Sequence, residues 1–517
     1  MPHGRTSRPS PTSPPAARRT AGSATAGDGR PEWRRRHLPA GLPVHSSGAS
    51  ARSVAYASFH EGPRSLDDGP QPGGIRMSTT TQRHHVVIVG AGHGGIEAAK
   101  ALGNKAGTDV TIIDQNNYHT FQALLYQVAT AGLEAGAIAH QVRGIVRRYP
   151  NVRFRLGRVA SFDLDERHVA LEGGDVIPYD SLIVAAGTVY GDLGVPGVRE
   201  HAFVLKSLRE SVTLRSHILH QFERAARHPD RIHDGRLTFV IAGAGPTGVE
   251  MAGALSELFA VAAKDYPELA AVEGGRPNVI VLEALDAVLA MYSEKTRRYT
   301  ADVLRRRGVE LRLSTRVSSV EAGHIELDDG TRIATQTLIW TAGVRAHPLA
   351  EALGVELMRA YRVPVTEQGH LVDRPEVFVI GDMSGMHAPN GEPYPMVAQV
   401  AMQQAKHAAK LLQARLAGAD ATAPFRYQDR GMMAIIGRGA GIAELSPRLG
   451  GMRFTGFIGW LAWLFIHLIY LPGHQNRISA FFSWVFNFFT FDRAARLQLD
   501  KPEDTARIRR TSGSMPR

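Results

Sequence analysis

A chain of 517 residues is too long for one hydrophobic core and divides into two or three domains. It carries 60 Lys and Arg against 49 Asp and Glu, but eleven of those arginines, against five acids, sit in residues 1–76, and the remainder shows no basic stripe interleaved with aromatics, so no nucleic-acid partner is expected. The absence of cysteine excludes disulfides, zinc–thiolate sites, iron–sulfur clusters and dithiol chemistry, and no metal site is expected.

Residues 1–83 are rich in Arg, Pro, Ser, Ala and Gly without apolar periodicity, so they cannot bury enough surface to fold and are expected to be disordered. No apolar core follows the early arginines, which excludes a secretory signal. The stretch reads either as an Arg-rich organelle presequence or as sequence upstream of a true start at Met77.

A β-branched run over 86–89 predicts a buried parallel strand, and the glycine loop after it opens into an Ala-rich helix. Gly90 permits the tight turn, Gly92 lets backbone approach a pyrophosphate, and Gly95 lets helix and strand pack closely. A second apolar strand over 110–113 ends in Asp114, where a carboxylate accepts hydrogen bonds from a ribose. This is a dinucleotide site. Residues 115–130 correspond to the stretch that carries a redox-active cysteine pair in disulfide reductases of this architecture, and here it carries none. Electrons must leave by another route. Residues 180–188 predict a strand closing in a small-residue turn at Gly187, like the crossover by which two-dinucleotide flavoproteins leave their FAD domain.

A second fingerprint follows, Gly243-Ala-Gly-Pro-Thr-Gly-Val-Glu250, with Gly243, Gly245 and Gly248 at the same spacing. Its second strand, over 279–282, ends in Glu283. A carboxylate there accepts a ribose 2′-hydroxyl and repels a 2′-phosphate, and no Arg follows, so NADH is preferred over NADPH. A strand over 337–340 leads to Gly343, where the chain returns to the first domain. Residues 377–382 have the form of the strand whose terminal Gly381-Asp382 meets the ribityl chain of FAD. A helix beginning at Pro395 could turn its positive end toward the flavin, with Gln399 and Gln403 on one face.

In the tail, 454–471 is free of formally charged residues, but Gly456, Gly459 and His467 interrupt a stretch at the lower limit for a span. Residues 478–491 place Ser479, Ser483, Asn487 and Thr490 as one polar stripe on an aromatic helix. Such a pair lies in the headgroup plane, with Arg453, Arg477, Arg493 and Arg496 flanking it toward anionic lipid.

From about residue 84 to 498 the chain resembles the type II NADH dehydrogenases, single-subunit, non-pumping NADH:quinone oxidoreductases. The likeness rests on the segment from Tyr118 to Tyr126, the second glycine loop through Glu250, Gly381-Asp382, the Ala398-Gln399-x-Ala401-x-Gln403-Gln404 motif and the aromatic tail. It implies that Gln399 and Gln403 line a quinone site (menaquinone or ubiquinone) and that Glu250 serves quinone binding or proton delivery. Two departures stand out: Ala123, where a Pro is expected, and Met402, where some relatives place a His. The implied fold is α/β, with two Rossmann-like dinucleotide-binding domains: FAD on 84–200 and 344–425, NADH on 201–343. A membrane-anchoring region over 426–517 would carry helices near 456–471 and 478–492. The implied setting is peripheral, on the cytoplasmic face of the cell membrane, with a possible homodimer. A soluble NADH:acceptor reductase and a membrane-associated NADH sensor are the alternatives. A sulfide:quinone oxidoreductase needs cysteines and is excluded.

Overall fold

The computed structural model describes residues 83–501, so the N-terminal stretch expected to be disordered, including Met77, lies outside the described residues. Strand β1 (His84–Val89) runs into helix α1 (His93–Leu102), and β2 (Thr108–Asp114), β3 (Val152–Leu156) and β4 (Ser181–Val184) follow. The chain leaves this sheet through Thr188–Tyr190 and builds a second one. Its strands are β5 (Ala202–Phe203), β6 (Thr238–Ala242), β7 (Asn278–Leu282), β8 (Val309–Arg312) and β9 (Thr337–Trp340), with helices α2 (Leu208–Arg227), α3 (Pro246–Asp265) and α4 (Glu294–Arg306). It returns through Val344–Ala346, which pairs antiparallel with the outgoing Thr188–Tyr190, and lays β10 (Val377–Val379) at the edge of the first sheet.

Both sheets are five-stranded and parallel, in the orders β10-β4-β1-β2-β3 and β5-β9-β6-β7-β8. The glycine-loop strand of each, β1 or β6, is central, so its C-terminal end opens into the crevice where neighbouring connections diverge. The sequence of β1 explains its position. Val86, Val87, Ile88 and Val89 are at most 3% exposed, with Val86 and Ile88 packing into one core and Val87 and Val89 into another. A strand covered on both faces must be apolar throughout, and each such side chain contributes about 1.5–3 kcal/mol. In β6, Phe239 and Ile241 face one core while Val240 and Ala242 face another.

Helix α5 (Ala398–Leu416) crosses α1 through small residues, Ala98 and Ala99 meeting Ala405, Ala408 and Ala409 in one core. It starts three residues after Pro395, with Val397 as the extended residue before its first turn. A three-stranded antiparallel sheet of β11 (Met432–Ile435), β12 (Gly441–Glu444) and β13 (Arg453–Thr455) then carries the tail helices α6 (Gly456–Tyr470) and α7 (His474–Thr490). No described helix is long and apolar enough to cross a membrane. Helix α7 begins before Arg477 rather than after it. The Arg477 guanidinium folds back to donate to the carbonyls of Leu471 (2.7 Å) and Ile469 (2.8 Å), so it caps α6 instead of breaking the chain between helices.

Trp460, Trp463, Ala480 and Trp484 belong to the same core as α3 and β6. The tail therefore forms a wall of the second half of the molecule rather than an appendage. Its polar stripe is divided, with Ser479 and Thr490 exposed and the middle turned toward the protein. Asn487 donates to the Gly132 carbonyl (2.9 Å) and Trp484 is buried beside Ser483, while Phe481, Phe482, Phe486 and Phe489 are exposed.

Candidate active site

The two glycine loops share their backbone geometry. Gly90 and Gly243 have φ of +101° and +103°, and a Cβ on Gly95 or Gly248 would stand 1.8 or 1.9 Å from the carbonyl oxygen of Gly90 or Gly243. Each strand-end acid ties its loop. Asp114 Oδ2 accepts from the Ala91 N–H (2.7 Å) and Oδ1 from Asn116; Glu283 Oε2 accepts from Ala244 (2.6 Å) and Oε1 from Leu285 (2.9 Å). The acids thus brace the loops from behind. At Gly92 and Gly245 an added Cβ meets nothing within 4 Å, and neither helix start has a side-chain cap or an acidic residue in its first turn. Open space before uncapped, positive helix ends fits a pyrophosphate at both places.

The first loop lines a cleft of about 2140 Å³. Gly90, Gly92, Asp114, Gly187, Gly381, Asp382, Gln399 and Glu250 all border it, and so do Pro246 and Thr247 of the second loop. Gly95 lies behind the wall, packed on Gly90. Gly243, Gly245, Gly248 and Glu283 are outside the lining, as expected if only the inner end of a second nucleotide reaches in. Gly343 does not line the cleft either: its carbonyl accepts from the Gly191 N–H (2.6 Å), which ties the outgoing and returning connections together.

Gln399 and Gln403 share a helix but part in role. Gln399 Nε2 donates to the Gly431 carbonyl (3.1 Å), and its Oε1 is buried with no partner. Gln403 does not line the cleft; its amide both donates to the Gln428 carbonyl (3.0 Å) and accepts from the Gln428 N–H (2.9 Å). It is a clamp on the irregular segment leading to β11. Gln404 is buried, and its Oε1 accepts from the Gly381 N–H (2.7 Å), so it fixes the turn that presents Asp382.

Asp382 is half-buried, and burial pushes its carboxyl up against the opposing pull of Lys206, Thr188 and Arg362. Thr188 donates to Asp382 (3.2 Å) and Lys206 donates to Thr188 (2.6 Å). Lys206 precedes the capping box of α2, in which Ser207 Oγ accepts from Glu210 N–H (3.2 Å) and the Glu210 carboxylate accepts from Ser207 N–H (2.8 Å). Sequence reasoning missed this group. Only the capping pattern Ser-Leu-Arg-Glu marked it.

Glu250 is half-buried at the edge of the cleft, and burial pushes its carboxyl up to about 8 despite the Ile435 N–H and the Trp463 indole facing it. Trp463 has no exposed surface, and its ring stacks on His467 at 3.8 Å. From His467 a file of rings runs back through Phe121 (5.9 Å) to His93 (5.7 Å) in the first glycine loop. Burial holds His93 near 3 and His467 near 4, so both are neutral. The neutral file connects the loop to the tail without charge. Of the four arginines expected toward lipid, Arg493 is turned inward instead, buried against Glu257 (2.7 Å) and the Thr130 carbonyl (2.6 Å). Arg496 pairs with Asp265 and Asp492, because carboxylates within reach stabilise a guanidinium better than open solvent does.

Two loop–acid–helix units joined by a paired crossover, with a shared cleft and no cysteine, define a two-dinucleotide flavoprotein oxidoreductase that does not work by dithiol exchange. Residues 84–405 match the pyridine nucleotide-disulphide oxidoreductase family. The chain is 39% identical to the type II NADH:quinone oxidoreductase Ndh of Mycobacterium tuberculosis over 83% of its own length and 93% of that protein, and 40% identical to NdhA of the same organism over 78% and 87%. Its fold matches NDH2 of Plasmodium falciparum, solved in complex with NADH, at a TM-score of 0.72 and 15% identity, over 81% of this chain and all of that one. The chain belongs to the type II NADH:quinone oxidoreductases.

Proposed function

We infer that this chain carries two electrons from NADH to a membrane quinone through bound FAD, without pumping protons. The observation that carries this reading is the continuity of the cleft. It runs from the first glycine loop past Gln399 and Glu250 to Phe465, Ile466, His467 and Tyr470 of α6, and that helix presents Phe457, Ile458, Leu461 and Ile469 outward. In this reading 84–200 and 344–425 hold FAD, 201–343 holds NADH, and the region from 426 onward meets the membrane.

Gly90, Gly92, Gly95, Asp114, Gly187 and Asp382 would hold FAD, which when bound supplies the two-electron chemistry linking nucleotide and quinone. Gly243, Gly245, Gly248 and Glu283 would hold NADH. The net conversion is NADH + quinone + H⁺ → NAD⁺ + quinol. Glu250, protonated near neutral pH, has a proton to give at the quinone end of the cleft. Gln399 is oriented by its bond to Gly431, which leaves its oxygen as the free atom, suited to accept from a quinol hydroxyl rather than to donate to a quinone carbonyl. The exposed aromatic faces of α6 and α7 sit in the lipid interface on the cytoplasmic side, where NADH is available. Purified protein in detergent tests the reading: NADH should bleach its flavin absorbance and a short-chain quinone should restore it. Failure of the quinone to restore the colour would refute it.

A further inference from the structure

Glu250 borders two separate spaces. Besides the large cleft it lines a second cavity of about 80 Å³, and among the residues recorded around these spaces it is the only one common to both. The small cavity is bounded by Tyr126 and Gln127 on one side, by Ala254 and Glu257 of α3, and by Asn487 and Arg493 from the tail. Its far end reaches Asp492 and Phe491, the latter 60% exposed. About 10–15 Å³ of such volume holds a water with suitable partners, so there is room for a short file of waters, with Glu250, Gln127, Glu257, Asn487, Arg493 and Asp492 supplying polar atoms in an otherwise apolar lining. Glu250, Ala254 and Glu257 stand at i, i+4 and i+7 of α3, which places them in a row along one face.

The stoichiometry calls for a source of one further proton. NADH contributes two electrons and one proton as hydride, whereas a quinone becomes a quinol by gaining two electrons and two protons. One proton must come from water. Where α6 lines the large cleft, Phe465, Ile466 and His467 offer no group that carries a proton at neutral pH, His467 being held near 4 by burial. We propose that this proton enters through the small cavity from its Asp492 end, passes along the Ala254 face of α3, and is handed to the quinone by Glu250. The proposal rests on reading the large cleft as the quinone site.

The charged groups around the passage keep its two glutamates in different protonation states. Burial alone would raise Glu257, but Arg493 and Arg307 hold it below the usual carboxylate range, with Arg307 at 2.8 Å and the Arg438 N–H also donating to it. Glu257 is thus a fixed anion compensated by two guanidinium groups, and Glu250, flanked by Tyr126, Tyr292 and Trp463, is the carboxyl that holds a proton. Arg438, laid over the Phe491 ring at 3.8 Å, borders the outer end. Gln127 joins the wall to the tail: its Oε1 accepts from Trp484 (2.8 Å) and its Nε2 donates to Tyr126 (3.0 Å).

An isosteric pair tests this. Ala254→Val and Ala254→Thr add the same volume at the middle of the file, but only Thr offers a hydroxyl that can pass a proton. In stopped flow with the full-length protein, reduction by NADH should be equal in wild type and both variants. Reoxidation by a short-chain quinone should stay near wild type in Ala254→Thr and slow at least about tenfold in Ala254→Val. Val261→Phe, which narrows the outer end, carries the same expectation if Ala254→Val does not retain FAD. Equal reoxidation rates in the Val and Thr variants, fast or slow, overturn the proposal, as does a fast Val261→Phe. A wild type that is reduced by NADH but never reoxidised by quinone refutes the functional reading instead.

Discussion

The first and second glycine loops have the same turn, the same forbidden Cβ positions and the same bracing acid, yet the helices they open into meet different surroundings. Helix α1 is covered by α5, where a Cβ on Gly94 would stand 3.6 Å from Ala401, and its role ends with holding the loop and sealing the core. Helix α3 runs on past its loop to the tail, where Gly253 lets the Ile436 carbonyl approach to within 2.2 Å of where a Cβ would stand, and where Glu250 and Glu257 are walled in by α6 and α7. Loop geometry selects a dinucleotide. The far face of the helix decides what else the loop is coupled to.

The comparison breaks most violently at the glycines that close each loop. Gly95→Ala forces a Cβ onto the Gly90 carbonyl and should yield protein without FAD, read as flavin absorbance per chain. Gly248→Ala does the same to the second loop and should keep the flavin while weakening NADH on the order of a hundredfold, from about 1–3 kcal/mol of overpacking. If both variants lost FAD, the loops would not be independent.

The coupling of α3 to the tail predicts how membrane attachment can be removed. Deleting the tail would strip the cover from Glu250 and from the α3 core against which Trp460, Trp463 and Trp484 pack, so it should cost stability as well as attachment. Substituting only the outward side chains, Phe482→Asp and Phe489→Asp, should leave FAD bound and weaken vesicle sedimentation about tenfold or more per residue, given about 1.5–3 kcal/mol for each buried ring. Unchanged sedimentation would place the anchor elsewhere.

Two changes of about tenfold would sharpen the division of labour. Gln399→Leu removes the tie to Gly431 and should slow reoxidation by quinone about tenfold while sparing reduction by NADH, since a net hydrogen bond is worth about 0.5–1.5 kcal/mol and an orphaned buried partner costs more. Slowed reduction with intact reoxidation would contradict the assignment. At the other loop, the lone carboxylate of Glu283 should favour NADH over NADPH by at least tenfold in kcat/KM, about 1.4 kcal/mol. Equal use of the two nucleotides would remove Glu283 as the discriminator.

The smallest effect near neutrality is a pH profile. A donor must carry its proton, and Glu250 loses it as pH rises through about 8, so quinone reoxidation should be level below that value and fall above it. Glu250→Gln should abolish the break and lower the plateau. A break that persists in Glu250→Gln would assign it to another group.

By itself the sequence determined both loops, their acids, the return at Gly343 and the absence of thiol chemistry, because these depend on residue types at short, fixed spacing. Glycine tolerates φ near +100° and a strand buried on both faces must be apolar, whatever else surrounds them. Only the tertiary structure decided which of two glutamines four residues apart reaches the cleft, since Gln428 lies on another segment and captures Gln403. The same holds for Arg493, legible as a lipid-facing cation until Glu257, 236 residues earlier, is seen beside it, and for Asn487 in the polar stripe of α7, which turns inward toward Gly132 while Ser479 and Thr490 stay exposed. A carboxyl raised to about 8 is likewise a property of enclosure: Glu250 is shut in by Ile435 and Trp463, nearly 200 residues and more along the chain, and burial is a sum over neighbours that no local spacing encodes.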